Sequence, residues 1–257
     1  APLAARLFDN PLGKLMKLPD FCEVYPAHGA GSLCGRALSA KRTSTIGYER
    51  RYNGALQIRN KEAFVASLTT GMPAAPDHFA RCSAANAAGP ALLSTLPTPQ
   101  PLSAAQFAER AHRMGTVLLD TREYEGFAAQ HLPGAWHVDL TGNFAAFAGW
   151  VLPADSQIIL VAADGAAAEQ AAVWLRRVGL DRVTGYLDDG MFAWARAGLP
   201  TEHIGLLCAG ELHQMITSTP GTVLVDVRAA EEYAAEHIEG AVNIPAPDLR
   251  RRHAELP

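Results

Sequence analysis

The side chains in this sequence that could do chemistry recur at a fixed distance. Asp120, Arg122 and His131 return as Asp226, Arg228 and His237, each displaced by 106 positions. They lie in a 22-residue stretch that occurs twice, as VLLDTREYEGFAAQHLPGAWHV at 117–138 and VLVDVRAAEEYAAEHIEGAVNI at 223–244, with ten of the 22 positions identical. An aspartate at the end of a strand, followed two residues later by arginine, can pin the next turn through a charge-assisted pair. The two histidines read as hydrogen-bonded turn residues rather than metal ligands or bases. A separate histidine, His28, follows a strand-like stretch at 22–26 and sits in a glycine-rich turn, AHGAGS. By itself such a histidine is more often structural than a ligand. Cys22, Cys34, Cys82 and Cys208 form no CxxC pair and no zinc-finger spacing.

Helices and strands must alternate to place these groups. Ser103 is expected to N-cap a helix running through Phe107 and Ala111. Residues 116–120 and 157–162 are apolar runs typical of buried strands. Residues 123–130 read as a short helix with Phe127 facing inward, and 135–140 and 182–187 as further strands. Gly134 suits the tight turn before residue 135. Residues 166–178 form a helix stopped by Gly179, and 191–197 one closed by Gly198. This alternation predicts a mostly parallel sheet covered on both faces. A repeat of 106 residues marks two copies of a domain, not a solenoid, whose period is about 20–50 residues. The copies occupy 102–204 and 206–257, the second as an N-terminal part that runs helix, strand, helix, strand and then a charged segment at 248–253. Upstream, four prolines between residues 90 and 101 predict an extended, semi-stiff linker over 91–101. Residues 1–90 form the first segment. It closes with two amphipathic helices at 60–71 and 76–88.

Composition narrows the function classes. The chain of 257 residues is 49% hydrophobic and 19% charged, which is the balance of a globular protein. Its net charge of −4 gives no broad attraction to nucleic acid or anionic lipid. No apolar run is long enough to span a membrane, and the start lacks the layout of a signal peptide. Reduced cysteines and a cytoplasmic setting follow as expectations. The absence of an initiator Met reads as an interior piece or a processed product.

The pattern Leu/Val-Asp-x-Arg, then Phe127 or Tyr233, then His-x-x-Gly-Ala resembles the rhodanese (sulfurtransferase) family over residues 102–257. In that family a cysteine persulfide sits in the loop after a later strand, within a cradle of backbone N–H groups that lowers its pKa. The equivalent loop of the first copy, 162–168, reads AADGAAA. It has no cysteine, and Asp164 would repel an anionic sulfur donor, so the first copy is expected to be catalytically silent. The same offset puts the second loop near residue 268, past Pro257.

The stretch LPDFCEVYPAHGAGSLCG at 18–35, with TIGYER at 45–50, resembles the C-terminal part of metallo-β-lactamase-fold proteins. The groups it is most similar to are the persulfide dioxygenases and the glyoxalase II-like enzymes. The resemblance implies that His28 is a metal-site histidine. A single iron is favoured over zinc, and the other ligands lie outside this chain, since the main His-x-His-x-Asp-His motif is absent. Arg50 or Lys41 could meet a glutathione carboxylate, against the plainer reading of a solvated basic face. Cys34 could accept sulfane sulfur, against that of a packed thiol. No catalytic residue is assigned within the chain. The expected fold class is α/β, with the C-terminal part of a metallo-β-lactamase (αββα) fold followed by two rhodanese-like domains, the second incomplete. The parent is expected to be a bacterial persulfide dioxygenase acting on a small thiol or persulfide such as glutathione persulfide. The rivals are a zinc-dependent thioester hydrolase and a non-catalytic sulfur-carrier or scaffolding module. The N-terminal half of the metallo-β-lactamase fold is the expected partner, without which residues 1–90 would not be ordered. A homodimer is allowed; nucleic acid and membrane are not expected partners.

Overall fold

The computed structural model describes residues 2–25, 43–70 and 77–256. The chain forms two compact units, Ala1–Ala74 and Ala75–Pro257. No helix among the described residues is long and apolar enough to cross a membrane.

The first unit contains α1 (Pro2–Gly13), β1 (Glu23–Val24), β2 (Ser44–Thr45), α2 (Ile46–Tyr52), α3 (Gly54–Gln57) and α4 (Lys61–Thr69). β1 and β2 pair antiparallel. Thr45 caps α2 by accepting the Tyr48 N–H. Ser44 donates to Glu49 at 2.6 Å and Asn53 to the same carboxylate at 2.7 Å, so Glu49 gathers the helix start and end. Ile46 and Phe64 are the buried hydrophobics among this unit's described residues. Leu7, Leu15, Met16, Val24, Leu56 and Leu68 line an open apolar groove beside them.

The second unit opens with α5 (Asp77–Ala88). It continues through β3 (Gln100–Leu102), α6 (Ala104–Ala111), β4 (Thr116–Asp120), α7 (Tyr124–Ala129), β5 (Trp136–His137), α8 (Phe144–Val151), β6 (Gln157–Val161), α9 (Gly165–Arg177), β7 (Val183–Leu187) and α10 (Gly190–Arg196). These five strands form one all-parallel sheet in the order β3-β7-β6-β4-β5. Alternate residues of β6 feed the two faces. Ile158 and Leu160 pack with Val117 and Leu119 under α8 and α9, while Ile159 and Val161 pack with Phe107 and Trp194 under α6 and α10. Ser103 and Gln106 form the capping box that starts α6.

The remainder is α11 (Ala209–Ser218), β8 (Val225–Asp226), α12 (Ala230–Ala235), β9 (Val242–Asn243) and α13 (Ala246–Arg252). β8 and β9 pair parallel, repeating the β4–β5 pairing.

The structure differs from the sequence reading in several places, among them α1 and α13, helices at stretches read as no element and as a charged segment. The proline-rich stretch is not wholly a linker: it ends in β3, an edge strand beside β7, and Arg176 donates to the Pro97 carbonyl at 2.8 Å. Pro101 is tolerated there because an edge strand leaves one side of its backbone unpaired. The strand expected over 135–140 is only two residues long. A helix, α8, occupies an apolar stretch assigned to no element. The helix expected to close the first segment, α5, packs against α8 in the second unit.

Candidate functional site

Asp120 ends β4, where its carboxylate is completely buried. Arg122 grips it with two nitrogens: Nε lies 3.0 and 3.1 Å from the carboxylate oxygens, and Nη2 lies 2.6 Å from one of them. The same Nη2 donates to the Gln130 carbonyl at 2.7 Å, closing the turn after α7. His131 stacks on Phe127 with ring centroids 4.0 Å apart, and its Nδ1 is 2.9 Å from the Phe127 carbonyl. His137 stacks on the other side of Phe127. Gly134 adopts φ of +73°, the left-handed geometry its turn needs.

The second copy reproduces this arrangement. Arg228 reaches Asp226 at 3.1, 3.1 and 2.6 Å and the Glu236 carbonyl at 2.7 Å. His237 stacks on Tyr233 at 3.9 Å and meets its carbonyl at 2.8 Å. Gly240 has φ of +83°. Arg228 holds the Asp226 carboxyl below its ordinary pKa, first through the side-chain hydrogen bond and then through a backbone N–H. In both copies the histidine ring is stacked on an aromatic neighbour and held on that residue's carbonyl within the turn.

The loop that would carry sulfur follows β6. Ala162 is buried at its start, and residues 162–168 contain no thiol. Asp164 is the N-cap of α9: its Oδ1 accepts the Ala167 N–H at 2.8 Å. An anion bound here would use the N–H groups at this helix start. A fixed carboxylate already engages one of those N–H groups, and the loop holds no thiol. In the second copy β8 pairs only with β9 among the described residues. Its flank is an open cleft lined by Leu212, Leu224, Val227 and Ile238.

His28, Cys34 and Lys41 lie outside the described residues. Arg50 is partly exposed and already engaged within the chain. It pairs with Asp20 and donates to the Met16 and Leu18 carbonyls at 2.6 and 2.9 Å, fastening the turn before β1 to α2. Asp20 can come this close because residue 47 is glycine; a Cβ there would lie 2.7 Å from the Asp20 Cβ. The described residues contain no group of three His, Cys, Asp or Glu able to hold a metal. Sequence reasoning did not find α8. Its signal was Asn143 ahead of FAAFAGWV, a run too uniformly apolar to show a helical period.

Comparison with known proteins finds several similar chains. Among solved structures, a metallo-β-lactamase from Staphylococcus aureus subsp. aureus COL is 31% identical, with a TM-score of 0.53, over 71% of this chain and 49% of that one. The present chain thus spans about half the length of that protein. A rhodanese-like domain from Anabaena sp. is 22% identical with a TM-score of 0.37, over 55% of this chain and 96% of the domain. A thiosulfate sulfurtransferase from Pseudomonas aeruginosa is 20% identical with a TM-score of 0.33, over 62% of this chain and 36% of that one. The model of the rhodanese-like domain matches residues 103–197 and again 209–257. These two matches cover more than half of the sequence and coincide with the two Asp–Arg–His turns: the chain belongs to the rhodanese-like domain family.

Proposed function

We propose that this chain is the rhodanese-bearing part of a sulfur-metabolism enzyme whose metallo-β-lactamase-fold part oxidises a glutathione-type persulfide to sulfite. The observation that carries the reading is the pairing of a metallo-β-lactamase relative with rhodanese turns, the first of which lacks a thiol. Iron is the metal this reaction favours. The described residues do not form a site for it, and no step of the oxidation is assigned to them. The complementary half of the metallo-β-lactamase fold would cover the apolar groove of the first unit. The test is oxygen uptake by the full-length protein with glutathione persulfide. Stoichiometric oxygen consumption with sulfite release supports the reading. Thioester hydrolysis without oxygen uptake replaces it with the zinc hydrolase.

A non-catalytic role for the first copy is favoured by Asp164. Sulfur transfer from thiosulfate to cyanide by the 257-residue chain is expected at background level. Ala162→Cys alone is expected to leave it there, because the Asp164 carboxylate disfavours a thiolate. Adding Asp164→Ser keeps a capping oxygen and removes the charge. Iodoacetamide labelling of the new thiol should then accelerate about tenfold, the equivalent of one pKa unit. Equal labelling rates in the two variants would remove Asp164 from the explanation.

A further inference from the structure

We infer that the α8–α9 side of the first rhodanese copy is an anchoring surface for helices of this same chain, with α5 as its principal occupant. The argument starts at helix ends. The last carbonyls of a helix have no intrahelical donor and carry its negative dipole end. At the end of α9, the Val178 carbonyl accepts Arg81 Nε at 3.1 Å and Nη2 at 2.7 Å, both from α5. The next residue of α5, Cys82, places its Sγ 3.7 Å from the Arg177 carbonyl. At the end of α8, the Val151 carbonyl accepts Arg250 Nη1 at 3.2 Å from α13. A helix before this copy and a helix after it thus use the same device, an arginine set on the C-terminal carbonyls of its helices.

The floor under α5 gives independent support. Gly149 lies inside α8, where glycine weakens a helix relative to alanine and no positive φ requires it. A Cβ at that position would lie 2.6 Å from Nδ1 and 2.8 Å from Cγ of His78, which is buried. A Cβ at Gly179, which has φ of +73°, would lie 2.9 Å from Arg81 Nε. His78 and Arg81 are three apart and so share one face of α5. That face rests on two glycines and reaches two helix-end carbonyls. The surface takes a helix presenting a planar ring and, three residues on, a guanidinium.

This assignment rests on the first copy being thiol-free, which leaves anchoring as its use, but it does not depend on the oxygenase reading. The experiment is amide hydrogen exchange on the whole 257-residue chain. Gly149→Ala is expected to speed exchange across 78–88 by about tenfold or more while β4 and β6 keep their protection. In a His78→Ala background, Gly149→Ala should add nothing, because the atoms it strikes are gone. Arg81→Met changes no residue of the first copy and is expected to release α5 to a similar degree. Unchanged protection of α5 in Gly149→Ala and Arg81→Met would overturn the inference. So would an equal effect of Gly149→Ala in both backgrounds, which would place the damage inside α8. Sulfur transfer by the first copy would instead sink the reading of it as catalytically silent while leaving the exchange result standing.

Discussion

Arg122→Ala is expected to destabilise the first rhodanese copy by about 3–5 kcal/mol, the cost of leaving a buried carboxylate without its partner. Asp120 is fully buried and Arg122 is 17% exposed, so water cannot replace the guanidinium. The Gln130 carbonyl loses its donor in the same step. For a unit of this size the loss corresponds to a fall in Tm of about 10 °C. Arg228→Ala is the internal control. Its hydrogen bonds match those of Arg122, but Asp226 is 12% and Arg228 46% exposed, and solvent can take over the released carboxylate. Its effect should be much smaller. Equal losses at the two sites in chemical denaturation would show that burial is not what sets the strength of this pair.

The exposed copy offers a pH test with a defined sign. The Asp226 carboxyl titrates below its ordinary range because Arg228 donates to its charged form. A carboxyl whose native pKa is depressed contributes stability above its unfolded pKa, and that contribution is lost as pH falls through the native value. In Arg228→Ala, carboxyl NMR should show Asp226 titrating at higher pH than in the parent chain. An unmoved titration would assign the depression to the backbone N–H of residue 228 alone.

The second large effect concerns the first unit. In the 257-residue chain by itself, residues 2–25 and 43–70 are expected to exchange their amides at close to unprotected rates. Few described side chains of this unit are buried, whereas Phe21 is 81% exposed and Leu3 78%. Burying one large apolar side chain contributes about 1.5–3 kcal/mol. Fixing one residue's backbone costs about 1–2 kcal/mol. Two buried anchors, Ile46 and Phe64, cannot offset the ordering of so many residues. Supplying the complementary half of a metallo-β-lactamase fold should cover the groove around Leu7, Leu15 and Leu56. It should raise protection by about a thousandfold, or roughly 4 kcal/mol. β4 and β6 report on the second unit and should be protected in both samples. Strong protection of residues 2–25 in the isolated chain would show that the groove needs no cover.

Much of the second unit was legible because its determinants are local. The buried strands were visible as apolar runs. The stops of α9 and α10 were visible as Gly179 and Gly198, both at positive φ. The strand β3 was hidden by Pro101, since proline vetoes a central strand but not an edge. The helix α8 was hidden by its uniformly apolar sequence, which has no polar face to give it a period.

The Asp–Arg–His turn marks the division between sequence and tertiary structure. Its partners lie within a dozen residues of one another, and the two copies build it with distances that agree within 0.2 Å although the second pair is the more exposed. The sequence by itself determined that geometry, because short loops between an acid, a base and a backbone carbonyl close at little entropic cost. Only the tertiary structure decided how strongly the pair is held, through the burial of Asp120. It also decided where α5 belongs. Arg81 and Val178 are 97 residues apart. A contact at that separation is specified by the shape of a surface, here two glycines beside a helix end, and such a shape exists only once the sheet and its helices have packed.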